Sequence, residues 1–258
     1  MTNVAEQATT LLALHSNPKL LTVVNVWDAI SAKIVAEVEG TQALATASHS
    51  IAVAHGYEDG ENIPVDLMIA AVGRIVAATE LPVTADLEAG YGNAGETTRK
   101  AIGVGAVGAN IEDQMKPLAE SVAVVEAVIA AAQAEGVEFV LNARTDAFLR
   151  AGDRPHAEVL ADAIERGSSY LAAGAPVVFV PGAVSEDDIK AIVDVWGPQK
   201  LTLIGAPGSV ALPRMQELGV ARVSYGPFSQ SVALMALQDL AKDVNASGGL
   251  PKDYRHLN

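Results

Sequence analysis

The feature that most constrains the fold of this chain is a rhythm. Eight short apolar runs, at 20–27, 43–48, 83–88, 108–113, 139–145, 177–182, 200–205 and 222–226, recur about every 29 residues. Each is followed by a stretch with helical spacing. That interval is the size of a βα repeat, and eight repeats predict an α/β protein with a (β/α)8 barrel, one domain spanning residues 1–258. A doubly wound open sheet is the runner-up, but it ordinarily has fewer strands and a Gly-x-Gly-x-x-Gly turn after the first, which is absent. An extra leading helix is expected at 4–15, with others at 29–38 capped by Asp28, 64–79 with Pro64 in its first turn, 120–135, 154–173 and 229–245. Residues 48–62 read as a long polar loop at the catalytic end, carrying His49, His55, Glu58, Asp59 and Glu61.

Composition narrows the possible partners. The formal net charge of -14 argues against nucleic acid, which demands clustered Lys and Arg, and against anionic lipid. With no cysteine, the chain has no disulfide, thiolate metal site or cysteine acid, and it suits a reducing compartment. No apolar run has membrane length, and Glu6 stands where a signal peptide would be basic, so a cytoplasmic location is expected.

The stretch Thr84-Ala85-Asp86-Leu87-Glu88-Ala89-Gly90-Tyr91-Gly92 reads as a strand ending in two carboxylates, then a glycine-rich loop. On a strand, residues two apart share a face, which would put Asp86 and Glu88 together. The next two runs repeat the pattern with Asn110 and Glu112, then Asn142, Arg144 and Asp146. On neighbouring parallel strands these sets converge at the carboxyl end of the sheet, where barrels place ligands. Asp86, Glu88 or Glu112 alone could cap a helix or pair with Arg144, but the three together are costly to desolvate without a cation. Oxygen ligands without His or Cys favour Mg2+, with Mn2+ possible, over zinc. Such a metal leaves room for a chelating 2-oxo or 2-hydroxy acid and would act as a Lewis acid on a developing enolate. Arg144 offers a planar fork to a carboxylate or enolate oxygen, the alternative being a salt bridge to Asp146 or Glu112.

Val26-Trp27-Asp28-Ala29, the stretch from Asp86 to Gly92, Ile111-Glu112-Asp113 and Ala143-Arg144-Thr145-Asp146 resemble, in order and spacing, the phosphoenolpyruvate mutase/isocitrate lyase family over essentially the whole chain. The resemblance implies a barrel whose last helix is often exchanged between subunits of a dimer or tetramer. It also implies Mg2+-dependent chemistry on a C–C or C–P bond beside a 2-oxo or 2-hydroxy acid. By that analogy Asp86 is the direct metal ligand, Glu88 and Glu112 hold metal-bound waters, and Asp59 helps from the loop. Arg144 binds substrate, with Ser48, His49 and Ser50 receiving its carboxylate, Trp27 lining the pocket, and Asn142 and Gly90 beside it. Gly90 and Gly92 either admit a ligand close to the backbone or only shape the loop.

The lyases of that family carry a Lys-Lys-Cys-Gly-His loop after the fourth strand, where this chain reads Glu112-Asp113-Gln114-Met115-Lys116-Pro117. The mutases carry Glu-Asp-Lys and a longer lid, where Gln114 and a short loop stand here. The expectation is a lyase or decarboxylase cleaving a C–C bond through a metal-stabilised enolate, with Arg144, Asp59, His49 and Glu112 as catalytic residues. His49, His55 or Tyr225 would return the proton. Two alternatives stay open: phosphonomutase or carboxyvinyl-carboxyphosphonate mutase chemistry, and a metal-dependent 2-oxo acid binding protein without turnover. Of the lesser features, Gly205-Ala206-Pro207-Gly208-Ser209 reads as a turn and helix cap more readily than a phosphate site, Lys116 as a solvated lysine, and 186–188 as a helix start.

Overall fold

A computed structural model describes residues 4–254 of the chain. In order, the elements are α1 (Val4–Ser16), β1 (Leu21–Val23), β2 (Asn25–Val26), α2 (Ala29–Ala36), β3 (Leu44–Thr46), α3 (Ser48–Ala54) and α4 (Val65–Val76). They continue with β4 (Val83–Asp86), α5 (Ala94–Gly103), β5 (Gly108–Glu112), α6 (Leu118–Ala134), β6 (Val140–Arg144) and α7 (His156–Ala172). The last are β7 (Val177–Phe179), α8 (Glu186–Trp196), β8 (Leu201–Ile204), α9 (Leu212–Glu217), β9 (Arg222–Ser224) and α10 (Phe228–Asn245).

All strands pair in parallel, in the order β1-β9-β8-β7-β6-β5-β4-β3-β2. Every apolar run of the sequence supplies a strand. The first supplies two, because it breaks at the half-exposed Val24 and pairs β1 with β9 on one side and β2 with β3 on the other. One run thus bridges both ends of the sheet, and the result is a (β/α)8 barrel rather than an open sheet.

Alternation along each strand divides two environments. Ala85, Ile111, Leu141, Val178, Leu203 and Val223 face the helices and form the main core with residues such as Ile75, Val128 and Ile192. Burying each such branched side chain contributes about 1.5–3 kcal/mol. The leading helix α1 lays Ala8 and Leu11 against Leu21, Ala43, Val107, Val140 and Ala221, which stand at or just before the starts of their strands. It therefore closes the amino end of the barrel, leaving the carboxyl end open.

Local chemistry explains most boundaries. Asp28 caps α2 in a reciprocal capping box with Ser31, and Ser185 does the same for α8 with Asp188. Pro64 sits one position before α4 as its cap, not within its first turn. The stretch 48–62 is not a loop throughout: α3 forms over Ser48–Ala54 because Ile51 and Ala52 are buried against the core, and only the remainder connects to α4. Likewise 205–209 is a turn that stops short of α9, whose cap is Ala211. Among the described residues no helix is long and apolar enough to cross a membrane.

Candidate active site

A cavity of about 600 Å³ opens at the carboxyl end of the barrel. One wall is polar, with Ser48, His49, Asp59, Asp86, Asn110 and Arg144; the opposite wall is largely apolar. Stepping two residues back along the strands from Asp86, Asn110, Arg144, Ile204 and Ser224, all of which line the cavity, gives Thr84, Gly108, Asn142, Thr202 and Arg222. These form a buried layer beneath the cavity floor.

Asp86 ends β4 and is fixed from two directions. Its backbone N–H donates to Thr46 Oγ1 at 2.9 Å, and its Oδ2 accepts from the Ser48 backbone N–H at 3.0 Å and hydroxyl at 2.8 Å. Both Ser48 donors are thus spent on Asp86. Glu88 does not share the strand, since β4 ends at Asp86 and Glu88 lies in the following turn with φ 53°. The turn, not the pleat, brings it back: it is buried, with one oxygen accepting from the Tyr91 hydroxyl at 3.1 Å and the other from the Glu61 backbone N–H. Glu61 completes a clamp by accepting the Tyr91 backbone N–H at 2.5 Å. Glu61 and Tyr91, like Glu88, hold left-handed backbone, at φ 62° and 54°.

Glu112 and Arg144 face one another from β5 and β6. Arg144 Nη1 lies 2.8 Å from Glu112 Oε2, and Nε lies 2.7 Å from Asp146 Oδ1. Both salt bridges considered from the sequence are therefore made, and the guanidinium still reaches the cavity wall. Burial raises the Glu88 carboxyl to about 7, with the Asp59 and Asp86 charges adding to the rise against the Glu61 N–H and Tyr91 hydroxyl. Burial likewise raises Glu112 to about 7, opposed by Arg144 and reinforced by Asp146 and Asp86. Arg144 loses to burial but gains more from Glu112, Asp146 and Asp86, which hold it above its ordinary value.

These acids repel one another, a setting that a divalent cation relieves. Among the described residues no three His, Asp or Glu side chains converge tightly enough to clasp a metal unaided. The donor set nevertheless fits Mg2+, which takes one or two carboxylates and keeps several waters. Asp86 stands on the cavity wall, with the buried Glu88 and part-buried Glu112 within electrostatic reach of it.

Of the other residues singled out, His49 and Asp59 line the cavity, with Nδ1 and Oδ2 3.6 Å apart. Asn142 lies one layer too deep: it is fully buried, donating to Asn110 Oδ1 at 2.8 Å and accepting from the Thr202 hydroxyl at 2.7 Å. Trp27 packs part-buried against the main core, and Ser50 is buried beside α10, its carbonyl accepting from Gln230 Nε2 at 3.0 Å. Gly90 shapes the turn, for a Cβ there would meet Ala94 Cβ at 2.5 Å. Trp27, Ser50, Gly90, His55 and Tyr225 are not part of the cavity lining. Sequence reasoning missed the clamp at Glu61 and a second buried network, in which Asp113 accepts from Tyr170 at 2.8 Å, Arg166 at 3.2 Å and the Asp146 backbone N–H at 3.0 Å. Arg166 and Tyr170 stand four apart on α7, a spacing that would have put them on one face.

Residues 11–245 match a family model described as phosphoenolpyruvate phosphomutase. A 2-methylisocitrate lyase of Shewanella oneidensis is 31% identical, covering 88% of this chain and 83% of the relative. A 2,3-dimethylmalate lyase of Eubacterium barkeri is 26% identical over 88% of this chain and 82% of its own. Among solved structures, a Burkholderia cenocepacia J2315 protein described only provisionally as a phosphonomutase superposes with a TM-score of 0.87 at 37% identity, covering 93% of this chain and 99% of that one.

Proposed function

The chain belongs to the phosphoenolpyruvate mutase/isocitrate lyase superfamily, whose members are lyases and mutases, and on that premise we propose a Mg2+-dependent lyase or decarboxylase, with Mn2+ as substitute. It cleaves a C–C bond of a small 2-oxo or 2-hydroxy carboxylic acid. The observation that carries this reading is the meeting of Asp86 and Arg144 on one wall of a single cavity, with Glu112 bonded to Arg144.

In this reading Asp86 would hold the cation directly, Glu88 and Glu112 would hold its waters, and Asp59 would assist from the loop. The bound cation supplies Lewis acidity toward the 2-oxygen of the substrate. Ser48 fixes the Asp86 carboxylate through two hydrogen bonds. Glu112 and Asp146 fix the plane of Arg144, which receives the substrate carboxylate or the oxygen on which charge develops. His49 is the single histidine lining the cavity among the described residues, and it returns the proton to the carbon left by cleavage.

The reading extends to assembly and place. The last helix, α10, leaves Val232, Leu234, Met235 and Leu237 exposed and has its main contact with β2, which supports exchange of this helix in a dimer or tetramer. One domain over residues 1–258 and a cytoplasmic location complete the proposal.

The 37% likeness to the Burkholderia protein favours a second reading, C–P chemistry. Turnover of oxaloacetate, hydroxylated 2-oxo acids and phosphonopyruvate by wild type and Asp86→Ala, reading pyruvate and phosphate separately, divides the two. Pyruvate without phosphate, lost with EDTA and in Asp86→Ala, is the expected result; phosphate from phosphonopyruvate would replace it with the second reading. Oxalate binding with Mg2+ but no turnover anywhere would leave a binding protein.

A further inference from the structure

The proposed lyase reading concerns the polar wall of the cavity; the wall opposite carries its own information. It is formed by Leu149, Phe179, Val184, Ile204, Pro207 and Phe228, contributed by the loops and strand ends of the second half of the barrel. Serines interrupt it at three places: the Ser185 hydroxyl is spent on Asp188 at 2.7 Å, the Ser209 hydroxyl accepts the Ala206 N–H at 3.0 Å, and Ser224 stands at the end of β9. Arg144 is the single Lys or Arg lining the cavity among the described residues, and it already faces Glu112 and Asp146.

Asp59 and Asp86 are the acids that line the cavity, and a divalent cation held there would offset their charge. Arg144, already shared with two carboxylates, is the one lining cation among the described residues that a substrate carboxylate can meet. A second carboxylate or a phosphonate at the far end of the substrate would sit against Phe179 and Ile204 with no lining Lys or Arg to pair with, giving up part of its hydration without an ion pair in return. A cavity of about 600 Å³ is also larger than a three-carbon acid requires.

We propose that the substrate is a 4-hydroxy-2-oxo acid with a single carboxylate, whose uncharged aliphatic tail lies on the wall formed by Leu149, Phe179, Val184, Ile204, Pro207 and Phe228. The chelating position of its 2-oxo acid end rests on the lyase reading; the tail does not. Such a molecule has no second carboxylate to lose as CO2, so the bond that breaks is C3–C4. The C4 hydroxyl gives up its proton and C4 becomes an aldehyde carbonyl. The electron pair of the broken bond passes to C3, which takes a proton, and the products are pyruvate and an aliphatic aldehyde.

The deciding comparison is between 4-hydroxy-2-oxoheptanoate and 4-hydroxy-2-oxoheptanedioate, equal in chain length and differing by the terminal carboxylate. With Mg2+ present, kcat/KM for pyruvate release is expected to be about tenfold or more higher for the monoacid. Ile204→Lys, which supplies a cation to the apolar wall, is expected to reverse that preference. Equal or faster turnover of the diacid by wild type overturns the proposal. Calorimetric binding of 2-oxohexanoate against 2-oxoadipate decides it independently of turnover, tighter binding of the diacid again overturning the apolar tail. Tight 2-oxohexanoate binding without cleavage of either hydroxy acid overturns the retro-aldol step. Oxalate separates the levels: its Mg2+-dependent binding alongside diacid preference sinks the tail alone, and its failure to bind sinks the lyase reading and the proposal together.

Discussion

Arg222 and His15 share the sealed lower end of the barrel, both fully buried, and the charge of the first helps keep the second neutral. Burial lowers His15 most, with the Arg222 charge adding to it, and together they bring the ring to about 3 despite its Nδ1 hydrogen bond to the Leu11 carbonyl. Arg222, pushed down by burial to about 10 and supported only by the Asp86 charge, stays ionised at neutral pH.

Acid stability should carry the signature of His15. The unfolded chain takes a proton near pH 6.5, whereas the folded one does so only near pH 3, so stability from this residue is full above pH 6.5 and declines as pH falls toward 3. Urea titrations of wild type and His15→Gln between pH 7 and 4 should diverge by about 1.4 kcal/mol per pH unit below 6.5, wild type falling faster. Parallel curves would show that His15 titrates normally.

Arg222→Met should leave stability at pH 7 unchanged or raise it by about 1–4 kcal/mol, because a well-packed apolar side chain escapes the cost of desolvating a guanidinium. The same variant should move the His15 titration upward, read by NMR of its ring protons. A loss of several kcal/mol would mean that Arg222 is paired more strongly than its surroundings indicate.

The two glycines of the 87–92 turn should respond differently to alanine. Gly90→Ala forces a Cβ to 2.5 Å from Ala94 Cβ and 2.7 Å from its Cα at φ 92°, so a loss above about 3 kcal/mol is expected, with displacement of Glu88. At Gly92 a Cβ meets nothing within 4 Å, and only the strain of φ 74° remains, about 1 kcal/mol. Thermal unfolding of the pair, with a substrate KM for each, checks both.

Glu61→Ala should open the clamp without unfolding the barrel. Losing the carboxylate that accepts the Tyr91 N–H is expected to cost about 1–2 kcal/mol locally, seen as roughly tenfold faster amide exchange at Tyr91, while Glu61→Gln retains most protection. Unchanged exchange would mean that the 55–63 segment is held elsewhere.

At Asp113, removal of the carboxylate strands Arg166 and the Tyr170 hydroxyl in buried surroundings. Asp113→Ala should therefore lose about 3–5 kcal/mol and Tyr170→Phe about 1, measured by urea unfolding.

The barrel was legible because eight apolar runs share one period, and a period survives local irregularity. The break at Val24 was not legible: nothing in a valine-rich run marks where a strand will bend to serve two neighbours. Alternation places Asp86, Asn110 and Arg144 on the inner face, but it gives a face and not a depth, and Asn142, expected beside the substrate, lies beneath the cavity. Glu88 reached the same neighbourhood by another route, a left-handed turn that strand periodicity does not describe. The helix α3 is hidden by His49 within it, His55 at its cap and the acids that follow, although the burial of Ile51 and Ala52 is what folds it. Arg222 carried a usable signal, a lone cation between Ala221 and Val223 in a buried run, which gained meaning only once α1 was seen to close that end.

The bridging first run also sets the order in which the barrel can assemble. Leu21 pairs with Arg222 and donates its N–H to Ala221 at 3.0 Å, so one edge of β1 finds its partner only after β2 to β8 have been made. During synthesis β1 waits with that edge unpaired while the βα units that follow it are made. Ring closure is thus a late, long-range event, which exposes a nascent chain to edge pairing with other chains until its last strand arrives.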